Sequence, residues 1–198
     1  MMATADTPLS QQNIVAFLGD IFERRGGEEY LGEPVTMAQH MLQSASFAEA
    51  AEEPDIIVVA ALLHDIGHFT SEFGMFSMQD TEDKYHEEAG ATVLQRFFPE
   101  LVTDCVRYHV AAKRYLCATD AEYFGKLSAA SVHSLNLQGG PMSAAEVADF
   151  AKNANLQAIL RVRRYDDAGK LADFETKTFS HYAPLIQQVV DDHHHAGS

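Results

Sequence analysis

The stretch Ala61-Leu62-Leu63-His64-Asp65-Ile66-Gly67-His68 ends an apolar run with a histidine and an aspartate side by side. Residues 54–66 contain few other polar groups, which predicts a helix that is buried on all sides. Successive helical residues point about 100° apart, so His64 can bind one metal ion while Asp65 reaches between that ion and a neighbour. A buried carboxylate without a partner is costly, and a metal ion removes that cost. The stretch therefore predicts a metal site that is bridged by Asp65.

Further metal-capable side chains lie on both sides of this stretch along the chain. They are His40, His86, His109 and one of the adjacent pair Asp166 and Asp167. Histidine and carboxylate ligands without thiolate suit iron or manganese as well as zinc. The whole set is large enough for two ions, and two ions about 3.5–4 Å apart across one carboxylate are a common catalytic arrangement.

The residues alone leave two questions open at this site. Asp166 lies three positions after Arg163, so both side chains can face one cavity on a helix, but Asp167 is its direct neighbour. His64 and His68 stand four apart, as the histidines do in the zinc motif HExxH. A single-zinc hydrolase is therefore an alternative, although the acid here directly follows the first histidine and is an aspartate.

Helical periodicity runs through most of the chain and predicts an all-α fold. A stripe that begins at Ile14 predicts a first helix ending near Gly26-Gly27, because glycine favours helix ends. The sequence Ser143-Ala144-Ala145-Glu146 is a capping box that opens a later helix. Other helices are predicted over residues 35–52, 54–66 with Gly67 at its end, from about 84, after Pro99 with His109 near the C-terminal end, 156–167 and 179–192. Residues 69–85 are predicted to form a long loop over the site.

Composition limits the kind of protein this chain can be. With 198 residues and 46% hydrophobic content, the chain can bury one core, which predicts one domain over residues 1–198. A net charge of -15 and a pI near 4.9 argue against a nucleic-acid or anionic-membrane surface, because such phosphates are bound mainly through Lys and Arg. Two cysteines, a polar N-terminus and short apolar runs predict a cytoplasmic protein without a membrane span.

The order of the candidate ligands, H…HD…H…H…D, resembles the HD-domain superfamily of helical metalloenzymes, and further residues resemble one branch of it. These residues are Tyr30 and Glu33 before His40, Lys113 four positions after His109, Ser131 in Leu127-Ser128-Ala129-Ala130-Ser131, and Arg163 in Arg163-Arg164-Tyr165-Asp166-Asp167. Over residues 14–170 the chain is similar to the mixed-valent diiron oxygenases that cleave the carbon-phosphorus bond of 1-hydroxyphosphonates, the PhnZ and TmpB group.

The resemblance implies a single HD-domain helical bundle that holds two iron ions as an Fe(II)/Fe(III) pair. It assigns the ligands as follows: His40, His64, Asp65 and Asp166 on one iron, and Asp65, His86 and His109 on the other. The second iron keeps open positions. The family pattern Arg-Arg-aromatic-Asp matches Asp166 rather than Asp167.

A reaction and a lid are also implied by the resemblance. The hydroxyphosphonate and O2 give inorganic phosphate and a carboxylic acid. Tyr30 occupies an iron position until the substrate arrives, and Glu33 contacts the substrate amine. Such a device would protect the iron from unproductive reduction of O2.

The phosphonate end of the substrate has its own residues in this family. Lys113 and Arg163 bind the phosphonate oxygens, as cations do, and His68 and Ser131 complete the hydrogen bonds. The resemblance thus gives catalytic roles to Tyr30, Glu33, His68 and Lys113.

The predicted loop bears on which amine the substrate carries. It holds aromatic and acidic side chains, namely Phe69, Phe73, Phe76, Tyr85, Glu72, Asp80 and Asp83. Aromatic faces beside a carboxylate suit a quaternary ammonium, which favours 1-hydroxy-2-(trimethylammonio)ethylphosphonate as substrate and glycine betaine as product. The phenylalanines can instead simply anchor the loop. Alternatives for the function are the same chemistry on 2-amino-1-hydroxyethylphosphonate giving glycine, an HD-type phosphohydrolase, and an HD module that senses a small anion without catalysis.

Overall fold

The predicted all-α class is confirmed. The computed structural model describes residues 8–30, 32–70 and 85–196, and apart from one isolated β-bridge between Glu29 and Thr36 the regular structure in these ranges is helical. The described α-helices are α1 (Ile14–Arg25), α2 (Met37–Ala50), α3 (Asp55–Leu63), α4 (Gly67–Thr70), α5 (His86–Leu94), α6 (Glu100–Thr119), α7 (Ala129–Leu137), α8 (Ala144–Phe150), α9 (Leu156–Ala168) and α10 (Phe179–Ala196). A short 3-10 helix, Phe124–Lys126, lies between α6 and α7.

Side-chain caps fix where two of these helices begin. The capping box predicted before α8 is present, because the Ser143 hydroxyl accepts from the Glu146 N–H while the Glu146 carboxylate accepts from the Ser143 N–H at 2.8 Å. Thr36 and Gln39 form a second capping box before α2. Each box satisfies two N–H groups that a helix start leaves without partners. Helix α2 carries His40, so the start of this helix sets the position of a candidate ligand.

Helix α3 lies at the centre of the hydrophobic core. Its residues from Ile57 to Leu63 are all buried, and α2, α6, α9 and α10 pack around it. Burying a side chain such as Leu62 stabilises the fold by roughly 1.5–3 kcal/mol. The C-terminal end of α3 therefore carries its histidine and aspartate into the middle of the molecule.

The prediction that this central helix continues to Ile66 was wrong. Helix α3 ends at Leu63, a turn follows, and α4 begins at Gly67. The Ile66 N–H donates to the Leu63 carbonyl at 3.0 Å, a spacing of three residues that tightens the chain relative to an α-helix. At Gly67 a Cβ would lie 1.7 Å from the carbonyl oxygen of His86, so only glycine allows α5 to approach this turn.

Other predicted bounds also differ from the structure. His109 lies in the middle of α6 rather than near its C-terminal end, because that helix runs for 20 residues without an internal glycine or proline to stop it. Helix α10 continues past residue 192 through the three histidines to Ala196. Most of the predicted loop, residues 71–84, lies outside the described residues. Among the helices that are described, none is both long enough and apolar enough to cross a membrane.

Candidate metal centre

The six predicted metal ligands converge in the interior of the molecule. All six are buried, with at most 7% of any one of them exposed. They come from four helices and the turn after α3, and they are His40 on α2, His64 and Asp65 in the turn, His86 on α5, His109 on α6 and Asp166 on α9. Residues that are far apart in the chain thus meet at the end of the central helix.

One group of side chains forms around the Nε2 atoms of His40 and His64, which lie 3.0 Å apart. The Oδ2 atom of Asp65 lies 3.3 Å from the first and 3.4 Å from the second. The two oxygens of Asp166 lie 3.6 Å from His40 and 3.8 Å from His64. Two imidazole nitrogens and two carboxylates therefore face a common point.

A second group forms on the other side of Asp65. The Nε2 atoms of His86 and His109 lie 3.1 Å apart, and the Oδ1 atom of Asp65 lies 3.3 and 3.2 Å from them. His68 stacks on His86 with ring centroids 3.9 Å apart, and its Nε2 lies 3.8 Å from the same oxygen. Each oxygen of Asp65 thus faces a different group, as a bridging carboxylate requires.

Hydrogen bonds on the outer ring nitrogens orient three of the histidines. Each of these Nδ1 atoms lies within hydrogen-bond distance of a backbone carbonyl, so Nδ1 carries the proton and the lone pair of Nε2 points inward. Two such lone pairs repel each other unless a cation lies between them. The bonds are His40 to Gly169 at 2.9 Å, His64 to Ala61 at 2.8 Å and His109 to Val106 at 2.7 Å.

The buried carboxylates at this site would also be stabilised by cations. Asp65 Oδ2 and Asp166 Oδ1 are fully buried, and neither has a hydrogen-bond partner among the described residues. Burial opposes ionisation of Asp65, but the histidines around it, His64 first, hold its pKa well below its usual range. The same carboxylates outweigh burial at His64 and raise its pKa to about 9. The site therefore favours positive charge between its two carboxylates.

These donors fit metal ions. Two overlapping triads each bring their ligand atoms within 4.8 Å of one another, and they are His40, His64 and Asp65, and Asp65, His68 and His86. Histidine nitrogen and carboxylate oxygen without thiolate suit iron, manganese or zinc. The inward lone pairs and the buried carboxylate oxygens without partners are what a metal ion would satisfy.

A cleft opens beside the second group. Its wall includes His86 and His109, whereas His40 and His64 do not line it. All the predicted substrate-binding residues line this cleft, and they are Tyr30, Glu33, His68, Lys113, Ser131 and Arg163. The sequence analysis missed several other lining residues, among them Ser134, Gln138 and Lys170. Ser134 could have been found from its place one helical turn after Ser131.

The loop between α1 and α2 places Tyr30 and Glu33 over the first group. The Tyr30 ring stacks on His40, with centroids 3.9 Å apart and planes 12° from parallel. Burial, and then the carboxylates of Asp65 and Asp166, raise the pKa of Tyr30 well above its usual value. Glu33 accepts a hydrogen bond from the hydroxyl of Ser128, which ties the loop to the start of α7.

Two buried cations face the cleft. The Lys113 ammonium donates to the Ser134 hydroxyl at 2.7 Å, and burial, followed by the nearby Arg163, lowers its pKa to about 7. Arg163 pairs with Asp166 at 2.6 Å and also with Asp167. Arg163 therefore holds Asp166 next to the histidines.

The neighbouring aspartate has a different setting. Asp167 is only half-buried, and it accepts hydrogen bonds from Tyr123 and Arg163. Asp166, in contrast, lies within 4 Å of two histidines. Of the two adjacent acids, Asp166 is thus the one that the structure brings to the metal centre.

The aromatic residues predicted to surround the substrate amine are described only in part. Phe69 belongs to the hydrophobic core, where it packs edge-on against Phe22 with centroids 6.3 Å apart. Tyr85 is 63% exposed. Neither lines the cleft. The remaining members, Phe73, Phe76, Glu72, Asp80 and Asp83, lie outside the described residues.

A comparison with protein families finds the HD domain over residues 37–138. This match covers about half of the chain and includes the candidate ligands from His40 to His109. The chain belongs to the HD-domain family. Asp166 lies beyond the matched residues, so its place at the site rests on the geometry described above.

Three proteins are similar to the chain over most of its length. It is 68% identical to the 1-hydroxy-2-(trimethylamino)ethylphosphonate dioxygenase (glycine-betaine-forming) of Leisingera caerulea over 185 residues, 93% of this chain and 94% of the relative. It is 38% identical to the hydroxymethylphosphonate dioxygenase of Gimesia maris over 166 residues, 83% of each protein. It is also 31% identical to the uncharacterized protein L432 of Acanthamoeba polyphaga mimivirus over 91% of this chain and 83% of that protein. The predicted resemblance to hydroxyphosphonate oxygenases of the HD-domain type is confirmed.

Proposed function

We propose that this protein is an O2-dependent oxygenase that cleaves the carbon-phosphorus bond of 1-hydroxy-2-(trimethylammonio)ethylphosphonate. The products are glycine betaine and inorganic phosphate, and one O2 is consumed for each phosphate released. The observation that carries the proposal is one carboxylate, Asp65, between two histidine groups, one of which lines a cleft that also holds Lys113 and Arg163. The identity of 68% to a dioxygenase named for this substrate supports the choice of substrate.

Two iron ions are the metals that we propose for the centre. The first would be held by His40, His64, Asp65 and Asp166, and the second by Asp65, His86 and His109. When bound, an Fe(II)/Fe(III) pair supplies the redox chemistry that the use of O2 requires, which zinc does not. The donor set supports this assignment because it contains only histidine and carboxylate, and because each half of the site faces a different oxygen of Asp65.

The cleft walls would bind the substrate at its two ends. Lys113 and Arg163 supply positive charge for the phosphonate, with His68 and Ser131 as hydrogen-bonding groups. Arg163 keeps N–H groups for this purpose, since a guanidinium has five donors and only part of them meet Asp166, Asp167 and Tyr123. The phosphonate would then lie beside the second metal position, where the cleft opens.

The other end of the substrate carries the quaternary ammonium. Glu33 offers a carboxylate to this cation, and the ring of Tyr30 offers an aromatic face. Tyr30 lies with one face on His40, so it covers the first metal position. We propose that Tyr30 and Glu33 form a lid that the substrate displaces when it binds.

A small hydroxyphosphonate and O2 are the partners that this proposal requires. The net charge of -15 disfavours nucleic acid, whereas the cleft places three cationic side chains, Lys113, Arg163 and Lys170, within reach of a small anion. We also propose a cytoplasmic location, which two unpaired cysteines suit.

Release of phosphate with and without oxygen tests the function. The iron-loaded protein should release phosphate from the trimethylated hydroxyphosphonate in air and none in an anaerobic chamber, with one O2 consumed per phosphate. Release at the same rate without O2 would exclude the oxygenase reaction. Glycine betaine should be detected as the second product. The Asp65→Ala variant serves as the matched control for metal-independent breakdown.

A further inference from the structure

A buried glutamine on α2 has no part in the proposed reaction. The side chain of Gln43 is 1% exposed, and it lies three residues after His40 on the same helix. Its amide oxygen accepts from the Leu171 N–H at 2.9 Å, and its amide nitrogen donates to the Leu171 carbonyl at 2.8 Å. One side chain thus pairs with both backbone groups of a residue 128 positions away.

The segment that Gln43 holds has little packing of its own. Residues 169–178 connect α9 to α10 without forming a helix, and Leu171 is 52% exposed, so its side chain adds little hydrophobic stabilisation. A buried amide is costly unless its hydrogen bonds are made, and in this chain Leu171 supplies both of them. The two hydrogen bonds therefore fix the path of the chain after α9.

The fixed segment places a carbonyl against a metal ligand. The Gly169 carbonyl, two residues before Leu171, accepts from Nδ1 of His40 at 2.9 Å. A Cβ on Gly169 would lie 2.9 Å from the His40 carbonyl oxygen and 2.6 Å from the Ser44 hydroxyl, so a larger residue does not fit without a shift. The Gly169 N–H also donates to the Asp166 carbonyl at 3.2 Å. Gly169 thus links the ligands that α2 and α9 bring to the first metal position.

We propose that Gln43 is a positioning residue for the first metal position. By holding Leu171, it keeps the Gly169 carbonyl on Nδ1 of His40, which fixes the ring with Nε2 directed inward and makes it a stronger donor to a metal ion. Gln43 does not line the cleft, so this role is separate from that of the residues that would bind the substrate. The inference rests on the metal centre of the proposed function, but not on iron, O2 or a substrate.

Titration of zinc into the full chain, after a chelator has removed bound metal, tests the proposal without the redox reaction. Zinc suits histidine and carboxylate ligands. In a His109→Ala background the second position lacks a ligand, so the tightest zinc binding reports on the first position. There Gln43→Met, which keeps the chain length but makes neither hydrogen bond, should weaken zinc binding by about tenfold, the lower end of the range for residues that orient a ligand. Gly169→Ala should act in the same direction, because it displaces the same carbonyl.

Removal of His40 distinguishes a positioning role from a merely structural one. In a His40→Ala background there is no ring to orient, so the addition of Gln43→Met should change zinc affinity by less than about twofold. An equal loss of affinity with and without His40 would show that Gln43 acts on the fold as a whole, and would overturn the proposal. Zinc binding that neither Gln43→Met nor Gly169→Ala changes in the His109→Ala protein would overturn it as well.

Gln187→Met is the matched control. The Gln187 amide donates to the Asp191 carboxylate at 2.9 Å and to the Gln11 carbonyl at 3.4 Å, so it also ties two distant segments, but neither segment supplies a metal ligand. Gln187→Met should leave zinc affinity unchanged, and a loss equal to that of Gln43→Met would contradict the proposal. If the iron-loaded protein consumed no O2 with any hydroxyphosphonate while zinc affinity still depended on Gln43 through His40, the proposed function would fail and the positioning role would stand.

Discussion

The two halves of the metal centre differ in how many protein groups they supply and in what lies next to them. Around the first position, His40, His64 and Asp166 join one oxygen of Asp65. His40 and Asp166 come from helices that pack on the core, and His64 comes from the turn after α3. Asp166 lines the cleft, but the two histidines do not. The second position has the other oxygen of Asp65 with two histidines, His86 and His109, and both of these line the cleft.

This asymmetry indicates that the two halves of the site have different roles. A position with more protein donors and with its histidines oriented by backbone carbonyls binds a metal ion more tightly. A position with fewer donors keeps coordination sites for other ligands, and here those sites face the cations of the cleft. We therefore expect the first half to hold its metal firmly and the second half to meet the substrate. The predictions below test that comparison, from the largest effect to the smallest.

Removal of the Asp65 carboxylate should prevent metal binding in both halves of the site at once. Asp65→Ala takes one oxygen from each group of histidines. Loss of a residue that hydrogen-bonds to a metal ligand costs about 10–100-fold in metal affinity or activity, so loss of the shared ligand itself should exceed a hundredfold. Elemental analysis should find less than one iron per chain, and O2 uptake should fall to background. A fully active chain that contains one zinc would contradict the two-metal assignment.

Substitutions of the adjacent aspartates Asp166 and Asp167 form a matched pair of variants that tests the first half of the site. Asp166→Asn should lower iron content and reduce activity by about a hundredfold, at the upper end of the range for disrupted metal sites, because Asp166 faces His40 and His64. Asp167→Asn changes the same group one residue away, where the described side chains that it contacts are Tyr123 and Arg163. It should keep its iron and lose less than about tenfold in activity, as expected for an altered outer contact. A larger loss of iron in Asp167→Asn would reverse the assignment.

In the cleft beside the second half, replacing Lys113 with methionine should lower activity but raise the stability of the fold. Lys113→Met removes a charge-assisted contact and should lower kcat/KM by about 10–100-fold. It should also stabilise the fold, because a buried ammonium is replaced by an apolar chain of similar size.

The stabilisation at Lys113 should depend on pH with a defined sign. The pKa of Lys113 is lowered to about 7 in the folded protein, below the value near 10.4 of an unfolded chain. The unfolded chain therefore binds more protons between these values, and the penalty in the unmodified protein fades as pH rises through them. The gain in melting temperature of Lys113→Met should be largest below pH 7 and vanish above pH 10.5 or so. A gain that grows with pH would refute this account.

Loss of the hydroxyl of the proposed lid should have a moderate effect. Tyr30→Phe removes the hydroxyl but keeps the ring that stacks on His40, so the substrate should still bind. We expect several O2 molecules to be consumed per phosphate released, where the unmodified protein consumes one. Simultaneous recording of O2 uptake and phosphate release measures this ratio. Tyr115→Phe, on a ring that packs against Phe150, is the control, and an unchanged ratio in Tyr30→Phe would exclude the lid role.

The parts of the site that the sequence could predict are those with local signatures. His64 and Asp65 are adjacent at the end of an apolar run, so both their burial and their chemistry follow from a few neighbouring residues. The end of α3 was misplaced because the close approach of α5 to Gly67 is a tertiary contact. Lys170 was missed for a similar reason, since its position depends on bonds between Gln43 and Leu171, which are 128 residues apart.

The smallest expected effect concerns the amine of the substrate. Phe69 lies in the core and Tyr85 is exposed, so among the described residues recognition of the ammonium falls to Tyr30 and Glu33. A trimethylammonium against one aromatic face gains about 0.5–2 kcal/mol, which corresponds to roughly 2–30-fold in specificity constant. A primary ammonium recovers part of this difference, because it can donate hydrogen bonds to Glu33 and a quaternary one cannot.

Both hydroxyphosphonates should therefore be turned over, with a preference of a few-fold for the trimethylated one. Competition between them in one tube, followed by quantification of glycine betaine and glycine, measures the ratio of specificity constants directly. Glu33→Gln should lower turnover of both cationic substrates relative to hydroxymethylphosphonate, which has no ammonium to recognise. Glycine in excess would assign the protein to the primary amine and leave the oxygenase chemistry intact. An unchanged ratio of all three substrates in Glu33→Gln would show that Glu33 does not contact the ammonium.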